Sequence, residues 1–141
     1  THIIGAVMTT KKERLGVPSE WSGSAPEYLV YNSLVNTFKK REGIDFTYQS
    51  AFMGGRLDKG GVVLDFVFAD PPDLAINVQG EYYHYGMGVT FIQNDIIVRQ
   101  QMAGQGIHLI FIDESDILED VDYYLREAFN YKDHSQIGGG S

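Results

Sequence analysis

The stretch from Val63 to His84 constrains this chain more than any other. Two apolar runs of strand length are separated by little more than Asp70-Pro-Pro-Asp73, a tight turn that leaves room only for a hairpin. The first run, Val62-Val-Leu-Asp-Phe-Val-Phe68, carries a lone carboxylate, Asp65. A charge inside such a run is costly unless a hydrogen-bond network, a cation or a metal satisfies it. The second run ends in Gln79-Gly80-Glu81, followed by Tyr82-Tyr83-His84. Asp65 is therefore the foremost functional candidate in the sequence.

A chain of 141 residues is sized for one domain with its own core. No apolar run approaches the ~20 residues needed to span a bilayer, and no secretory pattern opens the chain. The absence of cysteine excludes disulfides and cysteine-based zinc sites and suits a cytoplasmic, intracellular protein. A net charge of −8 argues against nucleic-acid binding by bulk attraction. The charge is uneven, however. Residues 1–60 hold eight Lys/Arg against six Asp/Glu, and residues 61–141 hold three against thirteen. The cations cluster as Lys11, Lys12 and Arg14; Lys39, Lys40 and Arg41; and Arg56 with Lys59. If DNA binds, these groups should hold its phosphates; otherwise they are solvated surface charge.

Residues 1–23 lack periodicity and read as an extended arm. Met8-Thr-Thr-Lys-Lys resembles a natural start, which would make 1–7 an added leader. A first helix is expected from about Pro26 to Lys40, opened by a capping box from Ser24 to Glu27 and stopped near Gly43. Phe46–Phe52 alternates as a strand, and Gly54-Gly55 and Gly60-Gly61 bracket a loop holding Arg56, Asp58 and Lys59. Val62–Phe68 and Leu74–Val78 form the hairpin. A helix is expected from about Thr90 to Ala103, and Ile107–Ile112 is a strand of the kind covered on both faces. A last helix spans about Asp116 to Asn130, with Ile117, Val121, Leu125 and Phe129 on one face at i,i+4 spacing. Ile137-Gly-Gly-Gly-Ser closes a tail, 132–141, that reads as flexible. The order α-β-β-β-α-β-α predicts an α/β domain over 24–131: a mixed four-stranded sheet core flanked by helices on both faces.

This order resembles the restriction-endonuclease-like fold of the PD-(D/E)xK nuclease superfamily, and within it the very-short-patch repair endonuclease-like branch. The matching pieces are Glu27, Leu64-Asp65-Phe66, Ala75-Ile-Asn-Val-Gln-Gly80, Tyr82-Tyr83-His84, Asp95 with Arg99, and Gly106-Ile-His-Leu-Ile-Phe. They span roughly residues 24–130. The resemblance implies a metal-dependent endonuclease that hydrolyses DNA phosphodiester bonds by nicking, or by double-strand cutting as a homodimer. One departure stands out: the superfamily usually has a carboxylate and a lysine where this chain has Asn77 and Gln79. The branch named also lacks that carboxylate. By resemblance the metal falls to Asp65 and the carbonyl of Val78, with His84 assisting proton transfer. Mg2+ suits such a site because it takes few protein ligands and keeps its waters, with Mn2+ as a substitute.

Glu27 would orient water at the rim of the site, and its competing reading is the capping box. Glu81 is a spare carboxylate at a strand end. Asp95 would orient His84 and Arg99 would touch a phosphate, against a plain i,i+4 ion pair. Gln79 would hydrogen-bond near the site. Tyr82 and Tyr83 would stack on bases or wedge into a duplex, against packing on the sheet rim. The implied partner is DNA, duplex or branched, with no membrane. The alternative is a catalytically inactive module of the same fold that binds nucleic acid or a protein partner. A third reading is a subunit of a larger assembly, docked through its acidic last helix.

Overall fold

The computed structural model describes residues 10–52, 62–80 and 89–137. Its centre is a four-stranded mixed sheet built from β1 (Phe46–Phe52), β2 (Val62–Phe68), β3 (Leu74–Gln79) and β4 (His108–Asp113), in that spatial order. β1 pairs antiparallel with β2, and β2 with β3, while β3 and β4 run parallel with Leu74 opposite His108 and Gln79 opposite Asp113. The helices are α1 (Lys11–Arg14), α2 (Ala25–Asn36), α3 (Val89–Gly104) and α4 (Glu114–Phe129). The expected α/β class with a mixed four-stranded sheet is what the chain adopts. No helix among the described residues is long and apolar enough to cross a membrane.

Apolar clusters cover both sheet faces. On one, Val30 and Leu34 of α2 and Ile117, Leu125 and Ala128 of α4 pack on Phe66, Phe68, Ile76, Ile110 and Ile112. On the other, Met102 of α3 packs on Leu64, Ala75, Leu109 and Phe111, joined by Ile137. Full burial of each large side chain contributes roughly 1.5–3 kcal/mol.

Strict alternation would put positions 62, 64, 66 and 68 of β2 on one face. Phe66 and Phe68 do lie in the first cluster, but Leu64 and Val62 lie in the second. β2 therefore changes face at Asp65. Its neighbour across β1 is Gln49, at the one skipped rung of that ladder, with a φ of 61°. A left-handed backbone at a non-glycine residue is a local twist that the flanking pairs must hold in place.

Several expected boundaries shift. The region expected as an extended arm contains α1, opened by a capping box between Thr10 and Glu13. Lys11 of α1 is ion-paired with buried Glu114 at the start of α4, which ties this segment to the sheet. α2 ends at Asn36 rather than Lys40. Lys39 takes a φ of 57°, and Lys40 N–H returns to the Leu34 carbonyl at 2.8 Å, a left-handed helix stop without glycine. α4 is broken at Asp120, whose carboxylate accepts from Tyr123 N–H at 3.1 Å and re-caps the second half.

The largest difference concerns residues 132–137, expected as part of a flexible tail. Asp133, Ser135 and Ile137 are buried. The segment runs beside β4, where Asp133 accepts from Phe111 N–H at 2.8 Å and Asp113 accepts from Gln136 N–H at 3.2 Å. A carboxylate taking an edge N–H satisfies a donor that would otherwise be buried without a partner.

Candidate functional site

Asp65 sits where β2 and β3 separate. The backbone ladder runs Phe68↔Leu74, Val67↔Ala75 and Phe66↔Ile76 and goes no further. At the next rung side chains take over. Asp65 N–H donates to Asn77 Oδ1 at 2.8 Å, and Val78 N–H donates to Asp65 Oδ2 at 2.8 Å. The two strands are thus held together by a reciprocal side-chain-to-backbone clasp. This is how a carboxylate is carried inside an apolar strand. In a strand the N–H and C=O of one residue point to the same edge, so the Val78 carbonyl faces the gap that the Asp65 carboxylate occupies. Asn77, which looks like the loss of a charged ligand in the sequence, is the other half of the clasp.

Glu27 approaches the same region from the first turn of α2. Ser24 caps that helix, accepting from Glu27 N–H at 3.3 Å. Yet the Glu27 carboxylate does not close the expected box onto the Ser24 backbone. It accepts from the Ser24 hydroxyl at 2.8 Å, the Tyr48 hydroxyl at 2.5 Å and the Gln49 amide at 3.1 Å. The Tyr48 hydroxyl proton is held far above the usual phenol range by burial first, then by Glu27, with the Asp65 charge adding to the effect. Tyr48 and Gln49 were not singled out in the sequence, since tyrosine and glutamine in a strand carry no motif. The signal is geometric, arising from the face change at Gln49 and Asp65.

Gln79 and Asp95 form a second grouping. Gln79 lies one residue beyond Val78 and so projects to the opposite face, where it is buried and its amide donates to Asp95 of α3 at 3.1 Å. Its Oε1 is buried and has no hydrogen-bond partner among the described residues. Arg99 is not part of this grouping. One turn further along α3, it donates to the Ile137 carbonyl at 3.1 Å and lines an open cavity of about 630 Å³ with Ala103, Ile107, His108, Tyr131 and Asp133. That cavity borders the start of β4, whereas Gln79 pairs with the end of β4.

The basic groups expected to hold phosphates are partly used within the protein. Lys11 pairs with Glu114, Lys40 pairs with Asp70 at 3.2 Å and lies over the Phe129 ring, and Arg41 pairs with Asp45 at 3.1 Å. His84, Glu81, Tyr82, Tyr83, Arg56 and Lys59 lie outside the described residues. No family model, curated protein or solved structure matches this chain.

The donor set at Asp65 is small. Among the described residues no three His, Cys, Asp or Glu side chains cluster as a metal-binding group. One carboxylate and one carbonyl suit a hard cation that keeps most of its water, such as Mg2+, and do not suit Zn2+ or Ca2+, which demand more protein donors.

Proposed function

We propose that this chain is a metal-dependent endonuclease of the restriction-endonuclease-like class, acting on DNA phosphodiester bonds. The observation that carries the reading is the clasp at Asp65. A carboxylate and a strand carbonyl face one gap between β2 and β3, and Glu27 accepts from the amide of Gln49, which lies opposite Asp65 at the skipped rung of β1. Asp65 and the Val78 carbonyl would hold Mg2+ or Mn2+, and the metal would supply charge neutralisation at the phosphate and a more acidic bound water. The chain's own groups have separate tasks. Val78 N–H fixes the orientation of the Asp65 carboxylate, Glu27 accepts a hydrogen bond from water at the rim, and His84 takes the proton from the attacking water. Asp95 and Gln79 brace the end of β3 against α3.

The test is cleavage of labelled duplex, nicked, mismatched, four-way and single-stranded DNA with Mg2+ or Mn2+, with an EDTA control and the Asp65→Asn protein. Metal-dependent cutting that is lost in the variant supports the proposal. Cutting by Asp65→Asn at the wild-type rate sinks it.

A second reading is a non-catalytic module of the same fold that binds nucleic acid or a protein partner. It is favoured by the amides at positions 77 and 79 and by the engagement of Asp65 Oδ2 with Val78 N–H. The two readings differ in metal linkage. An enzyme gains thermal stability from Mg2+ beyond a matched ionic-strength control and loses that gain in Asp65→Asn, whereas an inactive module gains nothing.

A further inference from the structure

The segment before α2 builds a second concave site, whose lining includes none of Asp65, Asn77 and Val78. Trp21 stands among three tyrosines, with ring centroids 5.3 Å from Tyr28, 5.2 Å from Tyr31 and 5.0 Å from Tyr48. The interplanar angles are 71°, 49° and 30°, so Trp21 packs against all three tyrosines in edge and tilted contacts. A cavity of about 260 Å³ lies against this cluster, lined by the four rings and Pro18 together with the exposed residues Glu20 and Glu42. Among the described residues no lysine or arginine lines it. Lys12 reaches only the Trp21 carbonyl, at 3.5 Å.

The walls are fixed in advance. Trp21 Nε1–H donates to the Ser24 carbonyl at 3.0 Å, the Tyr31 hydroxyl to Glu42 at 2.6 Å and the Tyr48 hydroxyl to Glu27 at 2.5 Å. Gly23 permits the close approach: a Cβ there would lie 2.2 Å from the Tyr48 hydroxyl and 2.9 Å from the Trp21 indole nitrogen. The polar tips of Trp21, Tyr31 and Tyr48 are therefore tied off within the protein.

Aromatic faces are electron-rich and attract a cation placed within about 6 Å of the ring centroid. The negative charges of Glu20 and Glu42 add to this attraction and repel phosphate, which argues against stacked nucleotides. The volume falls below the ~300–1,000 Å³ of sites for drug-sized ligands, so it suits a single compact group. We propose that this aromatic cage binds a trimethylammonium group, carried either by a small molecule or by a methylated lysine of a peptide.

Trp21 is the only tryptophan, so its emission reports on the cage directly. The whole chain is titrated at constant chloride with choline chloride, with its neutral isostere 3,3-dimethylbutan-1-ol, and with a short peptide bearing trimethyl-lysine beside its unmodified form. Saturable emission change with choline but not with the isostere is expected. Tighter binding of the trimethylated peptide than of choline assigns the group to a protein source, and the reverse assigns it to a small molecule. Glu42→Gln should weaken binding about threefold and Tyr28→Leu roughly three- to tenfold, with Glu42→Gln sufficient should Tyr28→Leu fail to fold. The titrations contain neither divalent metal nor DNA, so this test stands apart from the nuclease assay. Equal binding of the isostere overturns the proposal, as does the absence of any saturable signal by both emission and NMR shift.

Discussion

At the scale of the residue, Asp65 has a structural task that is separable from its proposed chemical one. Its carboxylate accepts the Val78 N–H that would otherwise lack a ladder partner. Asp65→Ala therefore removes an acceptor from a partly buried donor and should lower stability by about 1–3 kcal/mol. Asp65→Asn keeps an oxygen in place and should melt within a few degrees of wild type while losing any metal-linked stabilisation. Thermal melts of the two variants with and without Mg2+ check both statements, and equal destabilisation by Ala and Asn would remove the clasp from the account. Tyr31 gives a pH prediction. Its hydrogen bond to Glu42, helped by burial, holds the phenol proton up to about 12, and Tyr48 is shifted in the same direction. The folded state thus binds these protons more tightly than the unfolded chain does. The associated stability is complete below pH ~10 and is lost as pH rises from about 10 to about 12. Urea midpoints should fall between pH 9 and pH 11, and absorbance at 295 nm should show the Glu42→Gln protein ionising a tyrosine earlier. Coincident tyrosinate titrations for the two proteins would contradict this. Asp65 was legible in the sequence because a charge in an apolar run demands a partner. Which partner it takes was not, because Asn77 and Val78 become its partners only through a register that tertiary packing sets.

At the scale of the element, local patterns located most of the secondary structure and missed what long-range side chains decide. The i,i+4 row Ile117, Val121, Leu125 and Phe129 does face the core, as its periodicity implies. Residues 132–137 carry no apolar period, and their attachment depends on one carboxylate. Asp133 takes Phe111 N–H as well as Ser135 N–H and its hydroxyl. Asp133→Ala would leave these donors buried, at a cost of about 2–3 kcal/mol, or a fall of roughly 4–12 °C in Tm at this chain length. A differential calorimetry scan decides it, and a shift below 2 °C would show that the segment adds little. The same logic explains α1. Four residues cannot hold a helix alone, and Lys11 supplies the tie through Glu114.

At the scale of the whole molecule, the charge pattern limits how the proposed DNA substrate could be held. Lys11, Lys40 and Arg41 already face carboxylates, and the net charge is −8. Binding to non-cleavable duplex DNA should therefore release few counterions. A plot of log K against log salt should have a slope no steeper than about −3, whereas ten phosphate contacts would give about −9. Fluorescence anisotropy over a salt series measures it, and a steep slope would mean that these pairs open to reach phosphates. Composition alone pointed to weak bulk attraction. That Lys11 and Lys40 are paired internally depends on contacts between segments 103 and 30 positions apart.

The crossing of β2 from one face to the other has a consequence for how the molecule comes apart. One strand supplies Phe66 and Phe68 to the layer beneath α2 and α4, and Leu64 to the layer beneath α3. Neither layer can be peeled off while the other keeps its strand in register. Amide hydrogen exchange within Leu64–Phe68, in Ile110 and Phe111, and around Met102 should then report one common opening free energy. The chain would unfold as a single cooperative unit, with its candidate catalytic carboxylate at the point where the two halves are joined.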